Sequence, residues 1–89
     1  MIPPPGEHTE AIRLPANLGI DQQAVRVSAW LAEVGEHVEP GDRVVELLIR
    51  GMTFDLSAPV AGRLVTIEKH LDAAVLPGDV LGWIETDRD

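Results

Sequence analysis

Few side chains of this sequence could take part in covalent chemistry. The 89 residues include no cysteine and a single lysine, Lys69, so disulfides and thiolate metal sites are excluded. His8, His37 and His70 show no metal-ligand spacing, and the fifteen acidic residues are spread along the chain. There is no serine–histidine–aspartate order, glycine-rich phosphate loop or visible carboxylate pair. We therefore predict neither a catalytic centre nor a metal site.

The formal net charge of −8 restricts the partners of the chain. Nucleic acids and anionic membranes need a basic patch, so we expect neither as a partner. No stretch approaches the roughly 18 apolar residues of a membrane span. Residues 1–8 lack the basic start and apolar run of a signal peptide. We predict a cytoplasmic protein that meets other proteins.

The hydrophobic pattern is that of short β-strands. Apolar residues alternate from residue 25 to residue 31, which predicts one shared face for Val25, Val27, Ala29 and Leu31. Glycine and proline interrupt such runs about every ten residues, which is typical of a small sandwich or barrel. Trp30 and Trp83 are predicted to lie in the core or on a sheet face, because their rings offer much of the available burial.

The sequence also repeats itself. The stretch VEPGDRV from Val38 returns 37 residues later as VLPGDVL from Val75. At the same offset, Ala32 corresponds to Lys69, which predicts that Lys69 lies in a loop. The Pro-Gly-Asp segments are typical of tight turns. Two copies of one strand–turn–strand unit predict two halves related by a pseudo-twofold axis, each closing over the other.

These segments resemble a known family, the biotinyl/lipoyl carrier domains. Residues 30–42 look like the first half of such a domain, and residues 58–64 followed by 75–81 look like the second half. Residues 12–19 are similar to the opening strand and loop of lipoyl domains from 2-oxo acid dehydrogenase complexes. Residues 85–88, Glu-Thr-Asp-Arg, resemble the lipoyl attachment pattern with arginine in place of lysine.

The resemblance implies an all-β fold, a flattened barrel (barrel-sandwich hybrid) of two four-stranded sheets. We expect this domain at residues 10–86, with a flexible tail at 1–9 and a short tail at 87–89. In the family, a lysine at the tip of one hairpin joins lipoate or biotin through an amide bond. A gap-free alignment places that lysine on Gly51, between Arg50 and Met52. Arginine cannot serve as the acceptor, because its guanidinium stays protonated and delocalised.

Three functional hypotheses are compatible with the missing lysine. The first is a non-catalytic, unmodified domain with no cofactor, which acts by protein contact beside a lipoyl- or biotin-dependent complex. The alternative is a true carrier, with lipoate or biotin on Lys69 or bound non-covalently. A third is a structural module like those of membrane-fusion adaptors, which this chain fits poorly because it lacks their helical hairpins.

The contact residues of such a domain are predicted at two places. One is the hairpin tip, where methionine and arginine suit an interface; it comprises Arg50, Gly51 and Met52. The other is the loop after the first strand, which helps partner recognition in lipoyl domains; it comprises Asn17, Leu18, Gly19, Ile20, Asp21 and Gln22. The start of the domain favours lipoyl ancestry, whereas Met52 and the segment Ala-Pro-Val-Ala-Gly favour biotinyl ancestry. The partner and the oligomeric state are not predicted by the sequence.

Overall fold

A computed structural model describes residues 8–17 and 24–87, which form eight β-strands and no helix. The all-β prediction is therefore confirmed. The strands are β1 (Thr9–Arg13), β2 (Val25–Trp30), β3 (His37–Val38), β4 (Arg43–Ile49), β5 (Met52–Ser57), β6 (Gly62–Ile67), β7 (Ala74–Val75) and β8 (Val80–Thr86). The described residues contain no helix that is long and apolar enough to cross a membrane.

The strands form two four-stranded antiparallel sheets, with the orders β1-β8-β6-β3 and β5-β4-β2-β7. A shift of 37 residues carries β2, β3 and β4 onto β6, β7 and β8 with identical bounds. The same operation exchanges the two sheet orders, with β1 equivalent to β5. The predicted pseudo-twofold arrangement of two sheets is thus confirmed.

The Pro-Gly-Asp turns set the start of the central strands β4 and β8. The carboxylate of Asp42 accepts a hydrogen bond from the Glu39 amide (2.9 Å), and that of Asp79 accepts one from the Leu76 amide (2.8 Å). The glycines of both turns have a positive φ near 90°, a conformation that glycine adopts without strain. These turns have the structural role that the sequence predicts, because each aspartate satisfies the backbone of its own turn.

A β-bulge changes the face that β2 presents to the core. Val25 and Val27 are buried, but the pairing register with β4 shifts between Val27 and Ala29. One extra residue reverses the alternation, so Trp30 packs against the core while Leu31 is 46% exposed. Ala29, which pairs with Glu46, is likewise absent from the core. The prediction that Ala29 and Leu31 share the face of Val25 and Val27 is therefore wrong.

The core lies between the two sheets and draws on both halves. Its largest fully buried side chains are Ile12, Leu14, Leu47, Leu64, Leu81 and Ile84, together with Val25, Val27, Val44, Val45 and Val75. Burial of a Leu, Ile or Val side chain contributes about 1.5–3 kcal/mol before the entropy cost of ordering the chain. Because the chain has no cysteine and can form no disulfide, its stability depends largely on this apolar layer.

Candidate functional site

The hairpin that joins β4 and β5 turns in two residues. Arg50 and Gly51 both have positive φ angles, 53° and 77°. Positive φ at both central positions defines a type I′ turn, whose twist matches that of the flanking strands. The pair Ile49 and Met52 closes the hairpin. The hairpin turns at the position that the resemblance implies, and Gly51 supplies the positive φ that the second position requires.

The residues at the tip of this hairpin are all exposed to solvent. Arg50 and Gly51 are exposed, and Met52 is 73% exposed although it is large and apolar. A Cβ atom built on Gly51 would meet no heavy atom within 4 Å. The predicted acceptor position is thus sterically open, but it holds no side chain, and its left-handed backbone favours glycine.

The core beneath the tip fixes its direction. Leu47 is fully buried, and Ile49, Phe54 and Leu56 pack against the core from the two hairpin strands. Pairing runs without a shift from Val45–Leu56 to Ile49–Met52. A regular ladder anchored at its base holds the turn away from the barrel.

Lys69 lies elsewhere in the molecule. Its amide donates a hydrogen bond to the carbonyl of Leu81 (3.1 Å), and its carbonyl accepts one from the Trp30 indole (2.8 Å). Its ammonium lies 3.7 Å from a carboxylate oxygen of Asp79, and its side chain is 34% exposed. Lys69 follows β6 in a loop, as the internal repeat predicts.

The separation of Lys69 from the tip follows from strand register. Trp30, which holds Lys69, pairs with Val45 near the start of β4, whereas the tip follows Ile49 at its end. Four strand residues at about 3.3 Å each place these ends about 13 Å apart. The amine and the tip therefore form two sites, and the structure does not bring them together.

The pseudo-twofold equivalent of the tip is the place where the domain begins and ends. The Thr86 amide donates a hydrogen bond to the carbonyl of His8 (2.7 Å), at the position equivalent to the Ile49–Met52 pair. Asp87 corresponds to Arg50. Its carboxylate lies 2.9 Å from Nε2 of His37, and its amide donates to the carbonyl of Ala61 (3.1 Å). The residue equivalent to Gly51 is Arg88, which is outside the described residues.

The remaining predicted residues fall partly outside the described ranges. Asn17 is exposed in a turn, whereas Leu18, Gly19, Ile20, Asp21 and Gln22 lie outside the described residues. Trp30 and Trp83 are both half-buried, as predicted for sheet-face residues. The Trp83 indole donates to the carboxylate of Glu68 (3.0 Å). Within residues 8–17 and 24–87, no three His, Asp or Glu side chains converge as a metal site.

Two surface grooves were not predicted from the sequence. One, of about 620 Å³, lies beside the bulged end of β2 and is bordered by Leu31, Arg43, Glu46 and Asp55, among others. The other, of about 330 Å³, lies between β1 and β5 and is bordered by Ile12 and Leu56, among others. Both depend on how distant segments approach each other, so no local sequence signal marks them.

Two pseudosymmetric sheets, with a protruding hairpin whose base packs against the core, define a small carrier-type β-domain. The family described as "Biotin-requiring enzyme" matches residues 10–84 of the chain. The chain therefore belongs to the biotinyl/lipoyl domain family. Domains of this family are non-catalytic carriers that normally hold biotin or lipoate on a lysine.

Solved structures share this fold. A single-chain, multi-domain long-chain acyl-CoA carboxylase is 24% identical over 97% of this chain (TM-score 0.75). The urea carboxylase of Kluyveromyces lactis is 21% identical over 94% of it (TM-score 0.74). The lipoyl domain of the 2-oxoglutarate dehydrogenase complex from Azotobacter vinelandii is 23% identical over 89% of it (TM-score 0.67).

The lengths of these relatives differ greatly. The chain spans 8% and 7% of the two carboxylase chains, but 98% of the lipoyl domain. It therefore resembles one domain of each carboxylase and the whole of the lipoyl domain. Among curated proteins, none matches the chain in sequence.

Proposed function

We propose that this domain is an unmodified, non-catalytic member of its family that works in the cytoplasm by contact with another protein. The observation that carries the proposal is the hairpin tip. The acceptor position is Gly51 in a type I′ turn with Arg50, so the tip has no amine to acylate. The scaffold that presents the tip is nevertheless complete.

The chemistry of attachment supports this assignment. An amide bond to lipoate or biotin forms when an uncharged amine attacks an activated carboxylate. A guanidinium stays protonated and spreads its charge over three nitrogens, so Arg50 cannot replace the lysine. Lys69 has the right functional group, but its backbone is held by Leu81 and Trp30, away from any hairpin tip.

The proposed contact surface is the tip itself, residues Arg50, Gly51 and Met52. An exposed methionine adapts to irregular surfaces, and arginine is enriched at binding hot spots. The relatives include a domain of the 2-oxoglutarate dehydrogenase complex and parts of two carboxylases. A component of a lipoyl- or biotin-dependent assembly is therefore the partner that we propose.

The intact mass of the protein from its native cells tests the absence of modification. We expect the mass of the unmodified chain. A mass raised by one lipoyl or biotinyl group, and lost in a Lys69→Arg variant, would instead support the alternative carrier function.

A capture experiment from native lysate tests the contact surface. A double variant, Arg50→Ala with Met52→Ala, should lose the bound partner. The matched control is Leu76→Ala, because Leu76 is also large, apolar and 66% exposed but lies far along the chain from the tip. Equal capture by both variants would contradict a contact at the tip.

A further inference from the structure

The edge of the sheet beside the tip presents backbone groups that pair with no strand in the described part of the chain. β5 is an edge strand, and β4 is the strand that pairs with it in the described part of the chain. Of the four edge strands, β3 and β7 have two residues each and β1 has five, whereas β5 has six and leads directly from the tip. Proteins blunt long edges with proline, lysine or bulges, because such edges recruit further strands. β5 contains neither proline nor lysine, and the bulge in its pairing lies on β4, between Arg43 and Val45.

The hairpin geometry identifies the residues whose backbone faces outward. In a two-residue hairpin the closing pair, here Ile49 and Met52, exchanges both of its hydrogen bonds. Hydrogen-bonded and non-bonded pairs then alternate along the regular register. Thr53 and Asp55 fall on non-bonded pairs, so their N–H and C=O groups point away from β4. These are the groups that an added strand would use.

The side chains of β5 set the chemistry of that strand. Asp55 pairs directly with Glu46 on β4, and like charges at such positions are unfavourable. The side chain of Asp55 is only 22% exposed, and its ion pair with Arg43 (3.3 Å) comes from a side chain that is 73% exposed. A basic residue on the other side of Asp55 would offset this repulsion, and the net charge of −8 favours a basic partner over a second copy.

The opposite face of β5 favours apolar residues in an added strand. Phe54 and Leu56 are half-buried against the core, and Met52 continues their row to the exposed tip. The groove of about 330 Å³ between β1 and β5 opens beside Leu56. An added strand would therefore place apolar side chains on this face and basic ones beside Asp55.

We propose that the free edge of β5 binds an extended segment of a partner protein, with alternating basic and apolar residues, as an additional strand. This inference rests on the proposed function, since it places the partner on the strand that leaves the tip. Main-chain hydrogen bonds to Thr53 and Asp55 supply the affinity, and the side-chain pattern supplies the selectivity.

The test uses the full chain and a capped peptide of alternating valine and lysine, equal to β5 in length. Backbone amide shifts in NMR should be largest at Thr53 and Asp55. Thr53→Pro removes an outward N–H without loss of a bond to β4, so it should weaken binding by about tenfold, the effect of roughly one well-formed hydrogen bond. Thr9→Pro, at the equivalent position of β1, is the matched control and should leave the affinity unchanged.

The charge requirement is tested separately. Asp55→Asn should weaken binding of the lysine peptide and reduce its salt dependence, and a peptide of alternating valine and glutamate should not bind. Shifts spread over the whole acidic surface, with equal affinity in Thr53→Pro and Thr9→Pro, would overturn the inference. A dimer in sedimentation that Thr53→Pro dissociates would also overturn it, because it would place a second copy at this edge.

The two proposals fail in different ways. A modified intact mass would reject the proposed function, whatever the peptide does. An unmodified chain whose capture depends on Arg50 and Met52, but which binds the peptide no better than the Thr53→Pro variant does, would reject the edge-strand inference alone.

Discussion

The two halves of the molecule share one arrangement of strands but differ at the exposed ends of their outer strands. The central strands coincide after a shift of 37 residues, bulges included. In one half the outer strands meet in the closed turn of Arg50 and Gly51. In the other, the equivalent strands end near His8 and Asp87, where the chain enters and leaves. The closed hairpin tip is thus found in only one half of an otherwise symmetric scaffold.

Equivalent contacts of the scaffold are kept, with an arginine as the donor and a loop carbonyl as the acceptor in both halves. The Arg26 guanidinium donates to the carbonyl of Asp72 (3.1 Å), and Arg63 donates to that of Gly35 at the equivalent place. These loops cross over the opposite sheet in both halves. The comparison shows that backbone geometry is fixed by repeated turn and loop contacts, whereas side chains are free to diverge between the halves.

The largest effect is expected where the halves differ in the core. Gly62 is equivalent to Val25, but a Cβ atom on Gly62 would lie 2.2 Å from the Glu85 carbonyl oxygen and 2.7 Å from Cγ2 of Ile84. Backbone cannot yield easily, so Gly62→Ala should lower the free energy of unfolding by about 3 kcal/mol or more. Urea denaturation of the variant measures this value.

The control for Gly62→Ala is Val25→Ala in the other half. It removes two methyl groups from a site that is 2% exposed, which should cost about 2 kcal/mol. A loss below 1 kcal/mol for Gly62→Ala would show that β6 and β8 are not as close as the structure places them.

The paired Pro-Gly-Asp turns should respond almost equally. Asp42→Ala and Asp79→Ala each remove one hydrogen bond to a turn amide, at a cost of about 1 kcal/mol. Asp79 also lies 3.7 Å from the Lys69 ammonium. Both side chains are about a third exposed, so this ion pair adds only about a few tenths of a kcal/mol to stability. Thermal unfolding compares the two variants.

Asp→Asn changes at the same positions serve as controls, because asparagine keeps the acceptor oxygen and should retain most of the stability. If either alanine variant were as stable as the wild type, the turn aspartates would not have the structural role assigned to them.

The smallest effects concern one loop position that differs between the halves. Gly35 has a φ of 97°, and its equivalent Asp72 has a φ of 68°. Gly35→Asp should lower stability by about 1 kcal/mol, because a side chain is strained there. Asp72→Gly should change it by less than about 0.5 kcal/mol, since Asp tolerates the left-handed region and glycine gains unfolded-state entropy.

Urea denaturation of these two single variants decides the matter. If the two variants changed the free energy of unfolding by equal and opposite amounts, the loops would have the same backbone conformation in both halves. That result would contradict the difference in φ.

Much of this architecture could be predicted from the sequence, because its signals are local. Period-two patterns and Pro-Gly-Asp turns mark the strands, and the gap-free alignment that the family resemblance implies places the hairpin tip at Arg50 and Gly51. The exposure of Leu31 could not be predicted, since the bulge in β2 arises from pairing with β4. The left-handed Asp72 likewise reflects its bond to Val27 across the fold.

The features of the candidate site also divide into those that the sequence reveals and those that only the structure shows. The missing amine at Gly51 is a sequence fact, and the exposure of Met52 follows from a two-residue turn. The outward direction of the Thr53 and Asp55 backbone groups, and the grooves on either side of β5, follow from strand order and register. Sequence alone did not order the strands in the sheets, so the edge was not visible in it.

The central claim is that this carrier fold holds no prosthetic group. Intact mass spectrometry of the protein from its native cells tests it most directly. The account predicts the mass of the unmodified chain, in both the wild type and a Lys69→Arg variant. A wild-type mass higher by one lipoyl or biotinyl group, with the increment absent from Lys69→Arg, would contradict it and place the group on the loop after β6.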